Sequence, residues 1–194
     1  QGLHHSVNET CVLTTTQLPR LTFVLGGARS GKSRHAERLM TSLPAPWTYV
    51  ATAEIWDDEM RKRDDHHRAR RCDGWHTVEV PYELPEYLSD RKETSQPILI
   101  DCLTLWLSNA LLAHHDLDTR IAQLLESLTT AAGPIVVVSN EVGMGIVPEN
   151  ALARKIRDLQ GRLNSQVADL ADRAVLVAAG LPLTLKSDKH QVET

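Results

Sequence analysis

Short apolar runs alternate with longer amphipathic segments along most of this chain. The apolar runs predict buried strands at 21–25, 48–52, 76–80, 98–101, 135–139 and 174–179. Periodicity and capping signals predict helices at 32–43, 57–71, 103–113, 118–131 and 151–170. Strands that alternate with helices imply a mostly parallel sheet with helices on both of its faces. The pattern therefore predicts an α/β fold.

The last predicted helix carries one apolar stripe, at intervals of three or four residues, formed by Leu152, Ile156, Leu159, Leu163, Val167 and Leu170. Such spacing is typical of a face that packs on a core, so we expect the stripe to be buried. Just before this helix, Glu149 and Asn150 are both candidates for its N-cap.

Length and charge exclude several classes of protein. The 194 residues are enough for one domain, which we place at 21–186, with an N-terminal extension at 1–20 and a tail at 187–194. A formal net charge of −4 gives no bulk attraction to nucleic acid. The sequence contains neither a membrane-spanning run nor an apolar secretory signal, so we expect a cytoplasmic protein. Three widely spaced cysteines argue against a disulfide framework or a structural zinc site.

The strongest chemical signal follows the first predicted strand. It matches G-x-x-x-x-G-K-[ST] at every fixed position, in the order Gly26, Gly27, Ala28, Arg29, Ser30, Gly31, Lys32 and Ser33. Backbone N–H groups of such a loop point at phosphate oxygens, and the helix that follows adds its positive dipole end. Lys32 is expected to neutralise the β- and γ-phosphates, and Ser33 to bind Mg²⁺. The loop predicts binding of a nucleoside triphosphate.

Two further strand ends carry candidate groups. Asp101 closes the apolar run at 98–101, where a carboxylate could hold Mg²⁺ directly or through water. The loop at 139–150 follows another buried strand, and its Asn140–Glu141 corner could contact a ligand or simply connect two elements. No N-K-x-D motif is present, so the guanine-binding motif of switch GTPases is absent.

The charged helix at 57–71 carries a third candidate. Steps of four residues place Lys62, His66 and Arg70 on one helix face. The two cations disfavour a protonated imidazole and attract a phosphate, which is the arrangement expected of a histidine that accepts a nucleotidyl group. An ordinary solvated helix face accounts for the same pattern, and the residues alone leave both interpretations open.

Three stretches together carry a family resemblance: GGARSGKSRHAE at 26–37, DDEM followed by HH within 57–67, and NEVGMGIVPEN at 140–150. Over about 21–186 the chain resembles the bifunctional adenosylcobinamide kinases/adenosylcobinamide-phosphate guanylyltransferases of cobalamin nucleotide-loop assembly. The resemblance implies a RecA-like P-loop fold, a trimer of subunits, and two reactions. In the first, ATP or GTP phosphorylates adenosylcobinamide. In the second, GMP is transferred from GTP to give adenosylcobinamide-GDP and pyrophosphate.

The same resemblance assigns roles to individual residues. It makes His66, the first of the histidine pair, the residue that carries GMP. Lys32, which belongs to the phosphate-loop motif, is the second predicted catalytic residue because it stabilises developing charge. Glu54, Lys62 and the Asn140–Glu141 corner become candidate nucleotide or substrate contacts. Two other classes stay open: a monofunctional P-loop small-molecule kinase with no guanylyl transfer, and a non-catalytic nucleotide-binding subunit.

Overall fold

The computed structural model describes residues 17–54, 71 and 73–187, and within these ranges the fold is a seven-stranded sheet with helices on both faces. The strands are β1 (Leu21–Gly26), β2 (Trp47–Ala51), β3 (Trp75–Glu79), β4 (Ile98–Asp101), β5 (Ile135–Asn140), β6 (Arg173–Ala178) and β7 (Leu181–Lys186). The helices are α1 (Lys32–Thr41), α2 (Leu84–Ser89), α3 (Leu103–Leu112), α4 (Leu117–Thr130) and α5 (Ala151–Leu170). All six predicted strands are confirmed within one residue at each end.

The strands lie in the order β3-β2-β4-β5-β1-β6-β7. The first six of these pair in parallel, and only β7 is antiparallel to its neighbour β6. Parallel sheets need helical crossovers that cover both faces, which explains why the central strands are apolar on both sides. The prediction of a mostly parallel α/β sheet is confirmed.

Two hydrophobic clusters fill the two faces of the sheet. Successive residues of one strand belong to different clusters, as Phe23 and Val24 do on β1. Helices α2 to α5 cover the first cluster, where Trp106 is fully buried. Helix α1 covers the second cluster through Ala36 and Met40. Because six of the strands are parallel, their carboxyl ends lie together at one end of the sheet, where open α/β sheets bind ligands.

The apolar stripe of α5 is buried only along part of its length. Leu163 and Val167 are fully buried and Leu159 packs against the same cluster, whereas Leu152 on the first turn is 46% exposed. The expectation of a buried stripe is therefore wrong for Leu152. Asn150 is the N-cap, because its side-chain Oδ1 accepts hydrogen bonds from Leu152 and Ala153 N–H at 2.7 and 3.2 Å.

Two elements were not predicted from the sequence. Helix α2 is a six-residue helix, and β7 forms a hairpin with β6 through Ala179 and Gly180, whose φ angles are 52° and 77°. Two positive φ angles in a two-residue turn match the right-handed twist of antiparallel strands. The hairpin places its turn at the same edge of the sheet as the phosphate loop.

Several predicted features lie outside the described residues, namely most of the charged helix at 57–71 with Lys62 and His66, and residues 188–194. Four residues of the predicted extension are described, and two of them contact the domain. Leu18 is buried in the second cluster, and Arg20 donates to the carbonyl of Leu128 at 2.7 Å. None of the helices that the structure describes is long and apolar enough to cross a membrane.

Candidate nucleotide-binding site

The phosphate loop runs from the last residue of β1 into the first turn of α1. Gly31 is the N-cap of α1 with φ of 92°, and the helix begins at Lys32. Ser30 N–H donates to the Gly27 carbonyl at 3.3 Å, and His35 N–H donates to the Gly31 carbonyl at 2.9 Å. The loop thus curls directly over the N-terminus of a helix, where N–H groups and the helix dipole favour an anion.

Gly26 is required by close packing. A Cβ atom there would lie 2.4 Å from Ser30 Oγ and 2.6 Å from the Val177 carbonyl oxygen of the neighbouring strand β6. The adjacent Gly27 meets nothing within 4 Å. Of the two consecutive glycines, only the first is therefore fixed by its protein surroundings.

The β6–β7 turn packs against the phosphate loop and hydrogen-bonds to it. Gly180 N–H donates to the Ser30 carbonyl at 2.7 Å, and a Cβ atom on Gly31 would lie 3.1 Å from Gly180 Cα. The loop is therefore held between β1, α1 and this turn. The contact joins residues 150 positions apart, which no local sequence pattern could indicate.

Lys32 and Asp101 approach the same region from different elements. The Lys32 ammonium donates to the Gly27 carbonyl at 3.0 Å. The pKa of Cys102 is raised to about 12, first by burial and then by the charge of Asp101, while the Lys32 ammonium acts in the opposite direction. The Lys32 ammonium and the Asp101 carboxylate thus have opposite effects on the pKa of the same buried thiol. Helix α1 packs over β1, β5 and β4, which brings its N-terminus toward the end of β4.

Asp101 is the last residue of β4, and a residue of the neighbouring strand β2 contacts its carboxylate. The Tyr49 hydroxyl on β2 donates to Asp101 Oδ2 at 2.9 Å. The sequence pattern assigned Tyr49 only to a buried strand, although a buried tyrosine hydroxyl usually has a hydrogen-bond partner. That general rule was the one signal that could have paired it with an acid.

The residues present fit Mg²⁺. Among the described residues no three His, Cys, Asp or Glu side chains gather into a metal site. Mg²⁺ does not need such a cage, because it is usually held by one or two protein oxygens together with substrate phosphates and water. Ser33 Oγ and Asp101 Oδ1 are hard oxygen donors of this kind.

The Asn140–Glu141 corner lies beside the phosphate loop. Asn140 is opposite Gly26 in the β1–β5 pairing, and Glu141 N–H donates to the Gly26 carbonyl at 2.9 Å. The Thr104 hydroxyl accepts from Asn140 N–H at 2.9 Å, and Asn164 donates to the Asn140 carbonyl at 3.1 Å. Both backbone groups of Asn140 are therefore held by side chains.

A buried polar network extends this support into α5. Ser139 Oγ donates to Asn164 Oδ1 at 2.7 Å and accepts from Gln160 Nε2 at 2.9 Å. Buried polar groups cost free energy unless they are paired, so the network favours one arrangement of the β5 end. Sequence reasoning missed Gln160 and Asn164, which stand on the buried side of a helix described only by its apolar stripe.

Glu54 follows the carboxyl end of β2, at the same end of the sheet as the phosphate loop but three strand positions away from β1. Its carboxylate accepts a hydrogen bond from the Tyr82 hydroxyl at 2.5 Å. Strand β2 is separated from β1 by β4 and β5, which corresponds to roughly 14 Å at the usual strand spacing. Of the predicted site residues, Gly26–Ser33 form one continuous loop, and Asp101 lies at the same end of the parallel sheet, on β4. Glu54 contacts Tyr82, and Lys62 and His66 lie outside the described residues.

Fold and loop together define the class of protein. The chain has the P-loop NTPase fold, with a RecA-like, mostly parallel sheet. A type III secretion ATPase of pathogenic bacteria has a similar structure, with a TM-score of 0.53 at 11% identity over 85% of this chain and 56% of the ATPase. The assembled ATPase EscN from enteropathogenic E. coli gives a TM-score of 0.50 over 84% of this chain and 43% of EscN, at 11% identity. At such low identity these likenesses concern the fold alone.

Sequence comparison identifies the family. The sequence model of the CobU family, cobinamide kinase/cobinamide phosphate guanyltransferase, matches residues 22–185, and the chain belongs to this family. The bifunctional adenosylcobalamin biosynthesis protein CobP of Pseudomonas aeruginosa is 44% identical, covering 85% of this chain and 96% of CobP. CobU of Salmonella typhimurium is 38% identical, covering 86% of this chain and 99% of CobU. The expectation of a bifunctional kinase and guanylyltransferase of adenosylcobalamin biosynthesis is confirmed.

Proposed function

We propose that this chain phosphorylates adenosylcobinamide with ATP or GTP and then transfers GMP from GTP to the product, through a guanylyl group carried by His66. One observation carries the proposal: the phosphate loop with Lys32 and the end of β4 with Asp101 lie at the same end of the parallel sheet, in a chain that belongs to a bifunctional family. The products of the second reaction are adenosylcobinamide-GDP and pyrophosphate.

In the kinase step, the substrate hydroxyl oxygen attacks the γ-phosphorus. A new O–P bond forms, the bond to the β–γ bridging oxygen breaks so that ADP or GDP leaves, and the hydroxyl proton passes to solvent. Loop N–H groups of Gly26–Ser33 hold the phosphates, and Lys32 stabilises charge on the transferring group. Ser33 and Asp101 would hold Mg²⁺, which when bound would supply positive charge against that of the phosphates.

In the guanylyl step, an imidazole nitrogen of His66 attacks the α-phosphorus of GTP and pyrophosphate leaves. A phosphate oxygen of adenosylcobinamide phosphate then attacks the same phosphorus and releases the imidazole. Two displacements of this kind replace one direct transfer. Lys62 and Arg70, four residues to either side of His66, would attract the nucleotide phosphates, and Glu54 is a candidate contact for nucleotide or substrate.

Labelling tests the covalent step. GTP radiolabelled at the α-phosphate is incubated with Mg²⁺ and no corrinoid, using wild type, His66→Ala and the neighbouring control His67→Ala. We expect acid-labile, alkali-stable label on wild type and on H67A, and none on H66A. Label that persists on H66A would place the covalent group elsewhere. Absence of label from all three proteins, although GTP binds, would favour the monofunctional kinase.

The kinase half has its own test. We expect Lys32→Ala to abolish phosphorylation of adenosylcobinamide, because it removes the cation that faces the transferring phosphate. Phosphorylation that is indifferent to this change would remove the phosphate-loop assignment. A protein that binds GTP but phosphorylates no corrinoid would favour a non-catalytic subunit.

We further propose that the chain acts in the cytoplasm as a trimer, as its family resemblance implies. Sedimentation equilibrium of the purified full chain tests the trimer directly. A species of about 65 kDa is expected from three chains of 21.6 kDa each, and a monomer at micromolar concentration would contradict it.

A further inference from the structure

The carboxylate of Asp101 has one oxygen engaged inside the protein. Tyr49, whose hydroxyl donates to Oδ2 at 2.9 Å, is only 5% exposed. The tyrosine hydroxyl is the donor of this pair, because an ionised carboxylate oxygen only accepts hydrogen bonds.

The Tyr49 ring is held by neighbours that do not belong to the phosphate loop. The Arg71 guanidinium carbon lies 3.7 Å from the ring centroid, within cation–π distance. Trp75 meets the ring edge-on, with centroids 6.2 Å apart and planes at 74°. In the parallel pairing of β2 with β4, Tyr49 lies opposite Leu99, which is two residues before Asp101 and on the same face of the sheet. Rotation of the ring would break these contacts, so the hydroxyl has a fixed position.

We infer that Tyr49 is a positioning residue for the proposed Mg²⁺ site: its hydroxyl occupies Oδ2 of Asp101, so that Oδ1 is the oxygen that would hold the metal. The inference rests on the proposed function only for the presence of Mg²⁺ at Asp101. A ligand carboxylate held by a hydrogen bond has a defined orientation, and loss of such outer partners typically lowers metal affinity. Tyr49 itself touches neither metal nor nucleotide.

The test measures metal-dependent nucleotide affinity without any turnover. A fluorescent methylanthraniloyl derivative of GDP is titrated in Mg²⁺ and again in EDTA, and the ratio of the two Kd values gives the metal enhancement. We expect Tyr49→Phe to reduce this enhancement about tenfold, with the Kd in EDTA kept within about twofold. The unchanged EDTA value shows that the variant is folded, which a general structural defect would not preserve. An enhancement equal to that of wild type overturns the inference.

Tyr87→Phe is the matched control. Tyr87 lies on α2 and packs on the opposite face of the sheet, with the Arg91 guanidinium carbon 5.8 Å from its ring centroid. It therefore shares the aromatic–arginine contact but lies away from Asp101. We expect its metal enhancement to match that of wild type, and a loss equal to that of Y49F would overturn the inference.

A double-mutant cycle shows whether Tyr49 acts through Asp101. Asp101→Asn should reduce the enhancement at least as much as Y49F does, and adding Y49F to D101N should then change the remaining enhancement no further. A further loss in the double variant overturns the inference. If D101N keeps the enhancement, the proposed metal assignment fails as well. If D101N loses it while Y49F keeps it, only the role of Tyr49 fails.

Discussion

At the scale of single residues, two adjacent glycines of the phosphate loop differ in what surrounds them. Alanine at position 26 would force its Cβ atom against Ser30 Oγ and the Val177 carbonyl, whereas alanine at 27 meets nothing within 4 Å. We expect Gly26→Ala to lower the free energy of unfolding by about 1–3 kcal/mol. Gly27→Ala serves as the control and should change it by less than about 0.5 kcal/mol. Urea unfolding measures both, and equal effects would contradict the packing argument.

His35, on the first turn of α1, links stability to pH. Burial and then the charge of Arg38 lower the pKa of His35 in the folded protein. The unfolded chain therefore binds more protons than the folded one once pH falls below about 6.5, the unfolded value. Stability contributed by the neutral imidazole is present above that pH and is lost as pH falls toward the lowered folded pKa.

His35→Gln removes this titration and keeps a helix-forming side chain. We expect the free energy of unfolding to fall less between pH 7.5 and 5.5 in the variant than in wild type. Denaturant titrations at five pH values across this window measure the difference. Identical pH profiles for the two proteins would show that His35 does not contribute.

At the scale of elements, the N-terminus of α5 allows the capping residue to be compared with the residue just before it. The Asn150 side chain accepts two N–H groups of the first turn, while Glu149 is exposed beside it. We expect Asn150→Ala to cost about 1 kcal/mol of stability, and Asn150→Ser to cost less because serine also caps helices. Glu149→Ala is the control and should change stability by less than about 0.5 kcal/mol. Thermal and urea unfolding test this, and a larger effect at Glu149 would reverse the assignment.

Elements with a long periodic signal could be predicted from the sequence, and short or edge elements could not. The twenty residues of α5 repeat their apolar positions often enough to define both ends. The six residues of α2 are too few for a period to emerge. Strand β7 alternates leucines with other residues, but it carries Pro182, which interior strands exclude and an edge strand tolerates.

The candidate site divides in the same way. Gly26–Ser33 are consecutive, so one local pattern predicts them, their helix and their ligand together. Tyr49 and Gly180 reach the site only because the sheet places β2 beside β4 and turns the β6–β7 hairpin behind the loop. Such contacts depend on strand order, which alternating apolar runs do not specify.

At the scale of the whole molecule, the loop is held by three elements that share the central sheet. Strand β1, helix α1 and the β6–β7 turn all contact it, and β1 and α1 also pack into the hydrophobic clusters. A nucleotide that binds the folded loop but not the unfolded chain must therefore stabilise the whole domain by mass action. The size of the effect follows from the affinity alone, at about 2.7 kcal/mol for a ligand at one hundred times its Kd.

We expect saturating GTP with Mg²⁺ to raise the Tm of wild type by roughly 5–10 °C, since 1 kcal/mol corresponds to about 2–4 °C for a domain of this size. Lys32→Ala should lose most of this increase. In the absence of GTP, the Tm of the variant should be close to the Tm of wild type. The matched control is Lys92→Ala, which removes an exposed lysine between α2 and β4. Both variants lose one positive charge, so they differ only in where the charge was. The Lys92→Ala variant should therefore keep the full increase in Tm, because Lys92 lies outside the phosphate loop. Scanning calorimetry at several GTP concentrations separates the cases. An equal rise in the K32A protein would mean that GTP binds elsewhere than at the phosphate loop, since charge at position 32 would then be irrelevant to the ligand that stabilises the fold.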